Sequence, residues 1–376
     1  MAEQLRQQWE NPRDIMSVLM ILGSEAVHKT IAQMAGGPFV PTPFSFGWVG
    51  YSFAALGNAV GSGRLLPEPD WPTFVINLKN GYIRENCSWV LGRLLRDFEM
   101  REKNKDYALK IVVYNLDLND VGSRPARWWW WWTEKDREVY IKPKRDWVWW
   151  SGVVTIVLQL GISITPWLTE GDWTIFMTST AATLLAVAGA SWPNMSAEKW
   201  AGRRSNKCVA LTRGNGARYA MILKYRDGEK GLDLEDLATA MTTPSLWDRI
   251  VTGTLAIAWV LLLFNICGLQ NKTWYILGVG VIGMLQNQLV SGVQRDPASS
   301  GIPLTKVEEI REFKVMNALK KVETHYPGFG ASLLPTFFPG ELWPDEVSWW
   351  EERKIELKTI REAEKQAKPA QNAVFV

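Results

Sequence analysis

Charge is missing from five long stretches of this chain. No Asp, Glu, Lys or Arg stands between Lys29 and Arg64, Asp146 and Glu170, Asp172 and Glu198, Arg249 and Lys272, or Lys272 and Arg295. With charged residues at 22% of the whole, five such gaps are not chance. Residues 147–168 read WVWWSGVVTIVLQLGISITPWL and 173–193 read WTIFMTSTAATLLAVAGASWP; 250–269 and 273–294 are of the same kind. A helix of about 20 residues, rising about 1.5 Å per residue, spans a hydrocarbon core of roughly 30 Å. Buried helices of a large soluble protein usually run shorter and carry a polar stripe. Four transmembrane helices are therefore expected.

They come as two hairpins. The tips are Thr169-Glu170-Gly171-Asp172 and Gln270-Asn271-Lys272, too short for anything but antiparallel neighbours. Trp147, Trp149, Trp150, Trp167, Trp173 and Trp192 stand at the ends of the first pair, where an amphipathic indole marks a headgroup level. Residues 44–62 (FSFGWVGYSFAALGNAVGS) form a further candidate span, and 15–35 are apolar except for Glu25, His28 and Lys29. A third hairpin gives six spans. Five is the alternative, with 15–35 lying in the interface.

Topology follows from the basic residues. Of 42 Lys and Arg, 40 fall in 1–14, 64–146, 194–249 and 295–376. The positive-inside rule puts these segments and both termini in the cytosol. The expected organisation is a cytosolic N-terminus (1–14), a first hairpin (15–63), a cytosolic α+β segment (64–146) and a second hairpin (147–193). A cytosolic β-hairpin and helix (194–249), a third hairpin (250–294) and a helical C-terminal region (295–376) follow. Acids among the first 14 residues argue against a cleavable signal or a mitochondrial presequence. Three isolated Cys suit a reducing compartment.

The hydrophilic segments carry both periodicities. Residues 73–78 and 109–116 read as strands and 138–142 as a third, with a turn at Lys79-Asn80-Gly81. An amphipathic helix is expected over 86–101, its apolar face Trp89, Val90, Leu94 and Phe98. Residues 207–225 suggest a β-hairpin turning at Arg213-Gly214-Asn215-Gly216, where Asn-Gly suits a type I′ turn. A helix is expected over 232–241, and another from Thr305, with Glu308 completing a capping box and Val315, Ala318, Leu319 and Val322 on its apolar face. A charged helix runs over about 345–368, and 369–376 are expected to be disordered. The fold class is a membrane α-helical bundle with a cytosolic α+β domain assembled from the inter-hairpin segments.

Chemistry-bearing patterns are few. Net charge is +3, which excludes a broad basic footprint for nucleic acid. Two His and three scattered Cys give no metal constellation, and GxSxG, HExxH and P-loop patterns are missing. No cofactor is expected. Glu25, His28 and Lys29 share one helical face, so they form either a structural intrabundle pair, the simpler account, or a proton relay. Lys199, Arg203, Arg204 and Lys207, opposed only by Glu198, suggest contact with anionic lipid headgroups, against simple topology anchoring. The basic-aromatic run at 128–132 reads as a low-complexity insertion. Gln159, Asn265 and Gln286-Asn287-Gln288 are the polar groups a conducting path would need.

Five stretches carry a resemblance: FSFGWVGYSFAALGNAVGSGRLLPEPD, GYIRENCSWVLGRLLRDFE, VALTRGNG, DLEDLA and YPGFGASLLPTFFPGE. Over residues 12–350 the chain resembles a family of multi-pass membrane proteins from filamentous fungi. The resemblance implies an integral membrane protein and carries over no activity, cofactor or site residue. The expected function is non-enzymatic, with the lipid bilayer and an unidentified protein as partners. A transporter or channel is the alternative.

Overall fold

The computed structural model describes residues 23–61, 63–102, 106–117, 141, 143–226, 228–239, 244–269 and 272–367. The expected strand at 138–142, the 128–132 run and the 369–376 tail lie largely or wholly outside them. The chain is mixed α and β, a helical bundle capped by a six-stranded sheet.

Six helices make the bundle: α1 (Ser24–Met34), α2 (Gly47–Val60), α4 (Trp147–Glu170), α5 (Thr174–Ala190), α8 (Leu246–Gly268) and α9 (Thr273–Gly292). Neighbours pack in the order α1, α9, α4, α5, α8, α2 and back to α1, closing a ring. Among the described residues three helices are long and apolar enough to cross a membrane: Trp147–Glu170, Thr174–Lys199 (α5 running on into the short α6, Pro193–Lys199) and Leu246–Gly268. That is fewer than the six expected. Helix α9 has the length, but its Gln286-Asn287-Gln288 run lowers its apolarity. Helices α1 and α2, with 11 and 14 described residues, fall short of the roughly 20 a crossing needs. Residues 15–22 of the first expected span lie outside the described residues.

On two of the long bundle helices the buried stripe is mostly small or weakly polar. Helix α4 buries Gly152, Thr155, Gln159, Ser163 and Pro166 in one stripe and leaves Val154, Val157 and Leu158 exposed. Helix α5 buries Thr178, Ser179, Ala182, Thr183 and Ala186 and exposes Leu184 at 65%. Small and weakly polar residues let helix backbones approach closely where no hydrophobic effect drives association.

Residues 35–46 separate the two short helices of the first apolar region. They run without helix between α1 and α2, and Val40, Thr42, Phe44, Ser45 and Phe46 are all buried. A Cβ on Gly152 would overlap Pro41 O, and one on Gly283 would overlap Phe44 O, so this strap lies directly on α4 and α9. Buried non-helical backbone needs partners for its polar groups. Three prolines (Pro38, Pro41, Pro43) remove donors outright. Gln159 Nε2 donates to Phe44 O (2.7 Å), Val40 N donates to Ser191 Oγ (2.9 Å) and Asn287 Nδ2 donates to Ser45 Oγ (2.9 Å).

The sheet has the order β2-β1-β5-β6-β3-β8, from β1 (Phe74–Asn77), β2 (Ile83–Glu85), β3 (Leu109–Leu116), β5 (Val209–Thr212), β6 (Tyr219–Lys224) and β8 (Leu304–Glu312). Only β3 and β6 pair in parallel. Strand β3, next to edge strand β8, comes from one hydrophilic segment and its two neighbours from the other two, so one sheet draws on all three. Val112, Tyr114 and Leu116 of β3 face helix α3 (Trp89–Arg101) and the bundle core. Leu109, Ile111 and Val113 face α10 (Val315–His325), α11 (Phe329–Phe337) and Trp350 of α12 (Pro344–Ala367). Buried on both faces, β3 reads as a continuous apolar run.

Two local expectations are corrected. Residues 304–312 form strand β8, not the start of a helix at Thr305. The edge of fully buried β3 must be paired, and that ladder overrides the helix preference of Lys306, Glu308 and Glu309. The helix begins at Val315, with Ala318, Leu319 and Val322 buried as expected. The 207–225 hairpin forms, but its turn is the six-residue loop 213–218, in which Gly214 and Gly216, not Asn215, take positive φ. The remaining small elements are β4 (Arg204–Ser205), β7 (Gly231–Leu232) and α7 (Leu234–Thr239).

Gly283→Ala should destabilise the purified protein by about 1–3 kcal/mol, through overlap with the strap. Gly161→Ala, which meets open space, should leave the melting temperature unchanged. Equal melting of the two variants would remove the strap from the face of α9.

Candidate functional site at the bundle–sheet junction

Charges excluded from the bundle collect where it meets the sheet. Arg295 follows the end of α9 and is almost wholly buried. Its guanidinium donates to both oxygens of Asp146 (2.7 Å each) and through Nη1 to Gln33 O (2.7 Å). Lys199, 2% exposed, donates through Nζ to Gln33 O (3.0 Å) and Ala35 O (2.8 Å). These two cations therefore cap the C-terminal end of α1, where the helix dipole is negative. From α3, Arg93 donates to Ser291 O (2.5 Å) and Arg96 to Gly292 O (3.1 Å), doing the same for α9.

Acids occupy the opposite poles. Asp146 caps α4 by accepting from Trp149 N (3.1 Å). Asp248 closes a capping box with Ser245 at α8 and accepts from Trp192 Nε1 (2.7 Å) and Asn194 Nδ2 (2.5 Å). Asp97 accepts from Arg96 Nη2 (2.7 Å) and Arg295 N (3.0 Å). Glu198 holds Leu65 N (2.7 Å) and Leu66 N (3.0 Å), pinning the linker that leads to the sheet. Burial pushes the Asp97 carboxyl up. Burial would raise Asp146 as well, but the hydrogen bonds and charge of Arg295 outweigh it and hold that carboxyl below its ordinary value.

The expected site residues are distributed differently from the expectation. Glu25 and Lys29 pair with each other at 2.8 Å, with the Glu25 side chain 81% exposed. His28 instead turns inward to Leu65 O (3.1 Å) and the Tyr51 ring, so the three do not converge. Lys199 is interior to the collar and faces no surface. Arg203 pairs with Asp236 (2.7 Å) and Lys207 with Asp233 (2.8 Å) and Glu235 (3.1 Å). Arg204 stands exposed on β4. The four expected lipid contacts thus form no common patch. Of the polar groups a conducting path would need, Gln159 and Asn287 serve the strap, Gln286 donates to Ser151 Oγ (2.7 Å), and Asn265 bonds its own helix at Leu261 O (2.9 Å).

Sequence reasoning missed Arg93, Arg96 and Asp97. Their signal was three charges on a helix that otherwise offers an apolar face. A cleft of ≈ 570 Å³ lies beside loop 213–218, lined by Glu99, Glu102, Tyr107, Arg213, Arg218 and Tyr219 among others. Of its acids, Glu99 accepts from Trp71 Nε1 (3.2 Å) and Glu102 from Lys110 Nζ (2.6 Å). Among the described residues no group of His, Cys, Asp and Glu is placed to hold a metal. A scan of family models and searches of curated proteins and solved structures return no match to this chain.

Arg295→Gln leaves Asp146 without its buried counter-charge and should cost about 3–5 kcal/mol in thermal or denaturant unfolding. Ionised Asp146 contributes stability above its unfolded pKa of about 4, and that contribution is lost as pH falls through the lower folded value. Asp146→Asn should therefore flatten the acid limb of the stability curve below about pH 4. An unchanged limb would mean that the Arg295 contact does not form.

Proposed function

We propose that this chain is a multi-pass integral membrane protein that works without catalysis. It holds its α+β domain at a fixed attitude on the cytosolic face, as a platform for a protein partner. The outward faces of the long helices carry this reading, since exposed Val154, Val157, Leu158, Leu184, Ile257, Leu261 and Phe264 suit lipid as the solvent. On α4, Trp147 and Trp167 lie 20 residues apart, or about 30 Å of helix, matching a hydrocarbon core. Helix α9 then returns across the bilayer as the partner of α8, giving four spans. Helices α1 and α2 with the strap form a re-entrant element on the sheet side. Because one sheet draws strands from three hydrophilic segments, all three share a face, and the basic bias makes that face cytosolic. The resemblance to fungal multi-pass membrane proteins accords with this and adds no activity.

Transport is the second reading, favoured by one observation. The N-termini of half-length helices α1 and α2 meet at Gly23 and Gly47, partway along the bundle, as in discontinuous transporter helices. There the two backbones abut so closely that a Cβ on Gly47 would collide with Gly23, which leaves no room for a substrate. The platform reading is therefore preferred.

The chain should resist carbonate extraction. In intact cells an impermeant maleimide should label Asp172→Cys at the far tip, while Cys87 and Cys208 react only after permeabilisation. Labelling of Cys87 or Cys208 in intact cells would overturn the orientation. In proteoliposomes the protein should carry no ion flux, and Gln159→Ala should lower its melting temperature and leave flux at background. Flux above background that changes with Gln159→Ala would establish the transport reading.

A further inference from the structure

Three consecutive residues before α4 have opposite fates. Asp146 turns inward, its carboxylate consumed by Arg295 and Trp149 N. Lys144 and Arg145 are left exposed on the outside, and neither makes an ion pair among the described residues. The one acid next to them in sequence is thus unable to neutralise them.

Their surroundings are built. Lys144 N donates to Ala298 O (3.1 Å), tying this backbone to the 3₁₀ turn Pro297–Ser300 after α9. The Arg145 guanidinium lies over the Trp149 ring, 4.5 Å from its centroid. That ring is held edge-on by Phe39 of the strap (6.1 Å) and by Trp150 (4.9 Å). A guanidinium stacked on an aromatic face keeps its in-plane N–H groups free for a phosphate. Trp147 and Trp150 are more than half exposed beside it, where indoles seek the headgroup level.

The geometry points to an anionic-phospholipid site at Lys144 and Arg145, with the lipid phosphate or carboxylate headgroup against the two cations and its chains along exposed α4. This rests on the membrane-spanning reading and places the contact away from Lys199, which is buried, and from Arg203 and Lys207, which are ion-paired. Each cation near an anionic surface contributes on the order of fivefold in affinity, so the pair predicts a loss of roughly thirtyfold when both are removed.

The full-length protein, reconstituted into phosphatidylcholine nanodiscs containing a minority of phosphatidylserine, tests this by mass spectrometry of the lipid that stays bound on detergent extraction. The wild type should retain phosphatidylserine preferentially, and excess inorganic phosphate should not displace it. Lys144→Gln/Arg145→Gln should lose that preference while eluting and melting like the wild type. Arg145→Lys, which keeps the charge without the stacked guanidinium, should keep part of it. A chain stripped from membranes by carbonate would sink the spanning reading itself. A carbonate-resistant chain with no preference, or with the same preference in the double variant, overturns the lipid site alone. Displacement by inorganic phosphate would make it a site for the free anion.

Discussion

Arg295 ends between the carboxylate of Asp146 and the carbonyl of Gln33, and its own backbone N–H is held by Asp97. Through this one residue the exit of α9, the entry of α4, the end of α1 and the helix under the sheet are fixed relative to one another. Taking such charges out of water costs several kcal/mol each, and the hydrogen bonds to Asp146, Gln33 and Asp97 offset that cost at Arg295. Its logic is that of helix dipoles: cations sit at the C-terminal ends of α1 and α9, acids at the N-terminal ends of α4 and α8. The sheet is therefore not tethered to the bundle by a flexible linker. It shares a continuous apolar core with it, from Trp48 and Trp259 between the helices to Tyr114 and Met221 on the sheet.

The strap is the second constraint, and it follows from the first. With α1 ended at the collar by Lys199 and Arg295, the chain must travel back through the ring of helices before α2 can begin. Extended backbone in that interior has unmet donors and acceptors. The prolines remove some donors, and Gln159, Ser191 and Asn287 answer several others. Polar residues that look like the lining of a path thus hold the strap through their amide nitrogens.

How much of this was legible varied with the range of the interaction. The long apolar helices were plain, because a charge-free run is a local property of the chain. So were β3, helix α3 and the 207–225 hairpin, whose periodicities are local. The Thr305-Glu308 pattern misled, because a capping box is four residues long and the unpaired edge of β3 lies some 190 positions away. The environment of the basic stretch 199–207 was hidden for a similar reason. Counting its charges could not reveal that Asp233, Glu235 and Asp236 fold back onto it, or that Lys199 points inward.

By itself the sequence determined where charge is excluded and which hydrophilic segments carry strand and helix periodicity, and three of its apolar runs are helices long and apolar enough to cross a membrane. These follow from composition and short-range periodicity, which a single chain displays openly. Only the tertiary structure decided that the first apolar region is a helix, a strap and a second short helix. The same holds for the union of three segments in one sheet, and for which basic residues are buried, paired or free. These outcomes depend on partners beyond the reach of a local pattern, from Lys207 with Asp233 to Phe44 with Gln159 and Gln33 with Arg295, and no short-range periodicity encodes which distant group will satisfy a buried charge or carbonyl.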